Sequence, residues 1–261
     1  MNCTICNTSA NQVFEAIVLN EHNVKYYLCP NCEYIFTESP YWLEQAYNKA
    51  INLTDTGILQ RNIYFSKIIT VLIYFFFSKK GKFLDYAGGY GIFTRLMRDI
   101  GFNFYLNDPY CDNLLARGFE CTGIEQNTFE LLTAFEVFEH LNNPLQEIEK
   151  MLLLSNTIIF STELLPNSVP KPGEWWYYGF EHGQHISFYS KHTLELIAKK
   201  YDLYFYSIAG VHIFTNKKLI PSAVKIFLKM AKYGLYVIVK KMMNSKTWDD
   251  HFRLKNNQSG K

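Results

Sequence analysis

The chain has 261 residues, 48% of them hydrophobic and 19% charged, with a formal net charge of +2 at pH 7. Those values suit one large folded domain with a small appendage, and they exclude a disordered polymer and an overall polyanion-binding signature. No run reaches the roughly 18 apolar residues that a membrane-spanning helix needs; the nearest approach, Ile68–Phe77, has ten residues.

Residues 1–40 read as short strands and turns and hold four of the six cysteines. They fall in two pairs, Cys3 and Cys6 in CTIC and Cys29 and Cys32 in CPNC, with 22 residues between the pairs. The N-terminus shows no basic start followed by an apolar stretch, so a cytoplasmic protein with reduced thiols is the expectation. Two CxxC turns then bring four thiolates to one tetrahedral ion, and Zn2+ with four sulfurs is a closed structural site. The first 40 residues are therefore expected to be a small zinc-ribbon-like module whose stability comes from the metal. Cys111 and Cys121 stand alone and read as half-buried thiols.

Residues 41–80 turn helical by apolar spacing and read as a linker or cap. Residues 81–216 then alternate short apolar runs with amphipathic stretches. Strands are predicted at Phe83–Tyr86, Phe104–Leu106, Glu120–Gly123, Leu131–Ala134, Ile158–Ser161, Leu203–Ser207 and Val211–Phe214. Helices are predicted just after Gly91, from Asn143 as cap with Pro144 in the first turn, and from near Ser190. Strands separated by helices imply parallel βαβ units in a doubly wound α/β sheet. Residues 217–261 read as a basic helical extension.

The stretch LDYAGGYG raises the functional question. In a doubly wound sheet, ligands bind beyond the carboxyl ends of the strands, and the first turn needs small residues there. Gly88, Gly89 and Gly91 fit. A dinucleotide fingerprint counted from Gly89 would need a third glycine where Thr94 stands, so that motif is absent. Instead Asp85 ends the strand, and Asp108 follows 23 residues later at the end of the next. An acid before the glycines repels a pyrophosphate but suits a cationic amino-acid tail, and the second acid can accept hydrogen bonds from ribose hydroxyls. A phosphate-free nucleoside with a cationic tail is S-adenosylmethionine (SAM).

LDYAGGYG resembles motif I of the class I SAM-dependent methyltransferases, and LTAFEVFEHLNNP resembles their fourth-strand motif. GQHISFYSKHTLELIAKKYDL is similar to a downstream segment of the same group, so the resemblance spans roughly residues 82–216. It implies a seven-stranded Rossmann-like sheet. It also implies cofactor contacts from Asp85, Ala87, Gly89, Gly91 and Asp108, with Phe135 and Glu136 lining the cofactor's face. Ala87 departs from the pattern, because the group has glycine there and a methyl narrows the approach.

Methyl transfer to an alcohol needs a base, and histidine titrates near neutrality. His185 is the first candidate, with Glu181 or His182 as its partner; Glu139, His140 and Tyr189 are further candidates. The aromatic run Trp175–Phe180 reads either as a sugar-stacking platform or as a lid packed on itself. Arg61 is a candidate anion clamp.

The cysteine-rich start together with EHGQHISFY resembles methyltransferases of nucleotide-linked sugars and surface polysaccharides, which implies a small-molecule or glycan acceptor. Carbon-methylation of deoxysugars, in which a further domain follows, is an alternative. So are a ribosomal RNA methyltransferase and a non-catalytic SAM- or glycan-binding protein. One basic residue, Lys25, in residues 1–40 argues against nucleic acid. The acid-free, lysine-rich segment 216–246 suggests peripheral contact with an anionic membrane, hence a place at its cytoplasmic surface.

Overall fold

The computed structural model describes residues 1–48, 55–121 and 126–259. The chain forms two compact units. The first comprises Met1–Thr54, Ala134–Leu152 and Ile159–Lys217; the second comprises Asp55–Thr133, Leu153–Ile158 and Lys218–Lys261. The strands are β1 (Asn11–Val18), β2 (His22–Leu28), β3 (Ile35–Thr37), β4 (Lys82–Tyr86), β5 (Asn103–Asn107), β6 (Leu131–Phe135), β7 (Thr157–Ser161), β8 (Ser187–Phe188), β9 (Tyr204–Ile208) and β10 (Val211–Thr215). The helices are α1 (Leu43–Ala46), α2 (Ile58–Phe76), α3 (Ile92–Ile100), α4 (Pro144–Leu154), α5 (Lys191–Lys200), α6 (Pro221–Met230), α7 (Tyr236–Lys241) and α8 (Thr247–Ser259).

The larger sheet has the order β5-β4-β6-β7-β10-β9. β4 pairs in parallel with β5 on one side and β6 on the other, which places its carboxyl end at the reversal of strand order. Six of the seven predicted strands are present. At the seventh, Glu120 makes an isolated parallel bridge to Leu106, and residues 122–125 lie outside the described residues. The parallel expectation fails at the far edge, where β9 and β10 pair antiparallel. Only Ala209 and Gly210 connect them, with φ of 57° and 78°. Two left-handed residues build a hairpin turn, whereas a parallel crossover needs a dozen residues or more.

In the first unit β1, β2, β3 and β8 form an antiparallel sheet. Residues 1–40 thus share a sheet with Ser187 and Phe188, which pair with Phe36 and Ile35. The sheet buries an aromatic-rich core that includes Tyr26, Trp42, Tyr177, Tyr178, Ile186 and Phe188. Ser190 caps α5, and it exchanges side-chain and backbone hydrogen bonds with Thr193.

In the second unit α3 begins at Gly91, whose φ of 83° is a left-handed value that glycine adopts at little cost. A Cβ there would also lie 2.8 Å from Asn113 Oδ1. Helix α3 turns Phe93, Met97 and Ile100 inward, together with Arg98, which is 2% exposed. The Arg98 guanidinium donates to both Asp250 carboxylate oxygens at 2.8 and 2.6 Å and to the Phe104 carbonyl at 2.8 Å, and it stacks 3.6 Å over the Phe119 ring. This pair ties α8 to the sheet. Removing the guanidinium leaves the buried Asp250 carboxylate to Arg95 Nη1, 3.1 Å away, so Arg98→Met is expected to cost about 3 kcal/mol in urea unfolding, the low end for breaking a buried pair. A loss below about 1 kcal/mol, the scale of a surface pair, would contradict the assignment.

Helix α6 packs through Phe227 on Phe75 and Phe76 of α2, with ring centroids 4.4 and 5.5 Å apart. Val224, Leu228 and Val239 are buried, while the lysines of α6 and α7 are exposed beside Ile226, Val237 and Ile238. Among the described residues no helix is long and apolar enough to cross a membrane.

Candidate functional site

In the second unit the glycine turn wraps one acid and is clasped by another. Asp85 is 2% exposed. Its Oδ2 accepts from the Thr94 hydroxyl at 3.1 Å and its Oδ1 from the Thr133 hydroxyl at 3.0 Å. No cation among the described residues offsets its charge, and burial pushes its pKa up to about 7. A Cβ on Gly88 would stand 2.3 Å from Asp85 Oδ2, so only glycine lets the turn close on the acid. Gly89 has φ of 59°, and among the described residues a Cβ there would meet nothing within 4 Å, which leaves its backbone bare on that side. Ala87 also takes a left-handed φ, 53°, a value that costs an alanine about 1–2 kcal/mol.

Asp108 closes the turn from the neighbouring strand. Its Oδ2 accepts from the Gly89 N–H at 2.8 Å, and its Oδ1 from the N–H groups of Tyr110 and Cys111 at 2.8 and 3.0 Å. Oδ2 keeps a lone pair for a further donor. A groove of about 620 Å³ borders Asp108 and is lined in part by Leu106, Pro109, Asn113, Arg117 and Glu120. Neither Thr94, three residues past the motif, nor Thr133 carries a sequence signal for this role. Thr133 is found only through the register that sets it opposite Asp85.

The first unit gathers the other candidates. Phe135 and Glu136 are half-buried at the end of β6. Glu136 takes a left-handed φ of 53° and its carboxylate accepts from the Ser161 hydroxyl at 2.5 Å. Glu139 is fully buried, and burial beside Glu136 raises its pKa to about 8. The His140 and His185 rings lie 5.0 Å apart, and those of His182 and His185 4.7 Å apart. His185 Nδ1 faces the Tyr177 carbonyl at 2.6 Å, so Nδ1 carries the proton and Nε2 offers a lone pair. That carbonyl takes the orienting position expected of Glu181, which is exposed, or of His182. Burial and the neighbouring His140 hold the His185 pKa well below the usual histidine range, so the ring is neutral at pH 7.

Tyr189 is buried with its hydroxyl on the Phe138 carbonyl at 2.9 Å, a packing role. Of the aromatic run, Tyr177 and Tyr178 enter the core and Trp175 and Phe180 pack against it, whereas Trp176 is 76% exposed. Arg61 forms a two-pronged pair with Asp55 at 2.8 and 2.6 Å.

The four paired cysteines converge in the first unit. Cys3 Sγ lies 3.5 Å from Cys32 Sγ, and Cys6 Sγ 3.3 Å from Cys29 Sγ. All four sulfurs lie within 4.8 Å of one another. Each pair sits on the same kind of turn. The Asn7 N–H donates to the Cys3 carbonyl at 2.9 Å, and the Glu33 N–H to the Cys29 carbonyl at 3.0 Å. Asn7 and Glu33, each one residue past a pair, have left-handed φ of 61° and 59°. A tetrahedral ion bound at about 2.3 Å needs sulfurs about 3.8 Å apart, so the cluster fits zinc with small adjustments.

A sequence model described as a methyltransferase domain matches residues 60–208, more than half of the chain. The chain belongs to the methyltransferase-domain family. Its strand order, its glycine turn after β4 and its acid after β5 match the class I methyltransferase fold that the sequence resembles. No curated relative matches the sequence. Among solved structures, the methyltransferase is similar to an O-methyltransferase family 2 protein from Planctomyces limnophilus, with 13% identity, TM-score 0.42, and 64% of this chain and 62% of that one covered. It is also similar to a possible histamine N-methyltransferase from Thermotoga maritima, with 11% identity, TM-score 0.45, and 62% and 93% covered. A third is the plantazolicin methyltransferase BpumL, with 13% identity, TM-score 0.45, and 74% and 87% covered. The chain thus spans less than two thirds of the length of the first of these.

Proposed function

We propose that the enzyme transfers the methyl group of SAM to a hydroxyl of a sugar, a nucleotide-linked sugar or a sugar-linked group. The observation that carries the oxygen acceptor is His185. A neutral imidazole with Nδ1–H fixed on the Tyr177 carbonyl presents Nε2 as a proton acceptor, which methylation of an alcohol requires and methylation of a free amine does not. The sugar assignment rests on the sequence resemblance of EHGQHISFY and the cysteine-rich start. The four cysteines would hold Zn2+ in a closed site without a part in the chemistry.

In the second unit, Asp85, Ala87, Gly89, Gly91 and Asp108 are the residues proposed to hold SAM, which supplies an electrophilic methyl on a sulfonium. The buried Asp85 provides negative charge, and Gly88 and Gly89 bare the backbone. A pH dependence follows from Asp85. Its folded pKa is raised to about 7, so ionising it costs stability, and its contribution falls as pH rises from about 4 through 7. A bound cation favours the ionised acid and expels its proton. SAM affinity is therefore expected to rise between pH 5.5 and 7 by at most about tenfold per unit and to level off above. Asp85→Asn should flatten this profile in calorimetric titrations; an unchanged profile would remove Asp85 from the role.

The acceptor is tested by incubating the enzyme and labelled SAM with nucleotide sugars, polysaccharide and RNA. Label in the first two supports the proposal. Label confined to RNA overturns it.

A further inference from the structure

Glu139, His140 and His185 in the first unit share a donor geometry that base chemistry alone does not require. One donor atom from each lies within 4.8 Å of the other two. Both Glu139 carboxylate oxygens are fully buried, and among the described residues neither meets a donor in hydrogen-bonding geometry. The nearby Thr162 and Tyr177 hydroxyls bond each other at 3.2 Å. No ion pair among the described residues reaches this carboxylate; those present lie elsewhere. A buried acceptor left without a partner is destabilising, and a charged one more so.

The two histidines show the complementary arrangement. His140 Nδ1 faces the Gln184 carbonyl at 3.0 Å and the Tyr47 hydroxyl at 2.9 Å, and His185 Nδ1 faces the Tyr177 carbonyl; a carbonyl can only accept, so Nδ1 is the donor in both rings. Each ring therefore spends its proton on a backbone carbonyl and leaves Nε2 as a lone-pair donor. This is the orientation that carbonyls behind a ring impose on metal-ligating histidines. Two neutral imidazoles and one carboxylate suit a divalent first-row transition ion, with further positions left for water or an acceptor oxygen.

We propose that Glu139, His140 and His185 bind one divalent transition-metal cation, at a site distinct from the four-cysteine cluster. The cation satisfies the Glu139 carboxylate and uses the Nε2 lone pairs. At His185 this lone pair is the one assigned above to the base, so binding of the cation and direct proton abstraction by His185 exclude each other. Glu139→Gln separates the two roles, because it removes one ligand and leaves the imidazole in place.

The test is Co2+ titration of the zinc-loaded, full-length protein, followed by visible absorption and thermal melting, with no acceptor needed. One Co2+ per chain is expected, with ligand-field bands but no thiolate charge-transfer band, and with a rise in melting temperature. Glu139→Gln and His185→Ala should each weaken Co2+ binding at least tenfold. Without Co2+, Glu139→Gln should melt no lower than wild type, because an amide of the same shape replaces an acid whose charged form burial penalises; that result also shows it folds. No Co2+ uptake, uptake with thiolate bands only, or unchanged affinity in Glu139→Gln would overturn the site.

Discussion

Replacing Cys29 by serine is expected to lower the melting temperature by about 10 °C or more. Structural zinc in small modules contributes about 10–16 kcal/mol of apparent binding energy, and loss of one thiolate forfeits a substantial part of it. In a chain of this size each 1 kcal/mol moves the midpoint by about 2–4 °C. Cys29 is fully buried, and its N–H donates to the Tyr34 carbonyl at 2.9 Å. The Tyr34 hydroxyl meets that of Ser187 at 2.5 Å, and the Cys32 carbonyl accepts from the Thr193 hydroxyl at 2.7 Å. The cysteine turns are thereby fastened to β8 and to the start of α5. Loosening them releases the segment that carries His185. Thermal melts of wild type and Cys29→Ser, each with and without a chelator, check this. Wild type should fall towards the variant when chelated; a variant melting within 2 °C of wild type would contradict a structural metal.

His185→Ala is expected to reduce turnover by about 10²-fold or more while leaving SAM affinity unchanged. The imidazole is oriented by a 2.6 Å contact to a backbone carbonyl, and burial keeps it neutral across the physiological range. Removing it takes away the Nε2 lone pair and nothing of the glycine turn, which lies in the other unit. Single-turnover rates with saturating SAM separate the chemical step from binding. Rates within about threefold of wild type would move the proton acceptor to another residue.

Much of the sheet was legible because its strands are short apolar runs separated by amphipathic helices. All six predicted strands found in the larger sheet match to within one residue at both ends; β6, for example, runs to Phe135 against a predicted Ala134. The glycine turn was legible for a similar reason: three glycines after a strand admit few structures, and Gly88 is needed by a contact within the same turn. The two-residue strand β8 was not legible, since Ser187 and Phe188 carry no periodicity and pair with residues some 150 positions earlier. Nor was the fate of Trp175–Phe180, where long-range packing decides which rings are buried. The burial of Asp85 and its grip by the Thr94 and Thr133 hydroxyls were not legible. The order of residues shows the acid but not the register that brings its hydroxyl partners.

The central claim is that the turn from Asp85 to Gly91, closed by Asp108, is a SAM cradle. Calorimetric titration of the purified full-length chain with SAM, in parallel with Asp108→Ala, tests it most directly. The account predicts one SAM per chain and several-fold weaker binding in the variant. Absence of SAM binding by a folded wild-type protein, or equal affinity in Asp108→Ala, would contradict it.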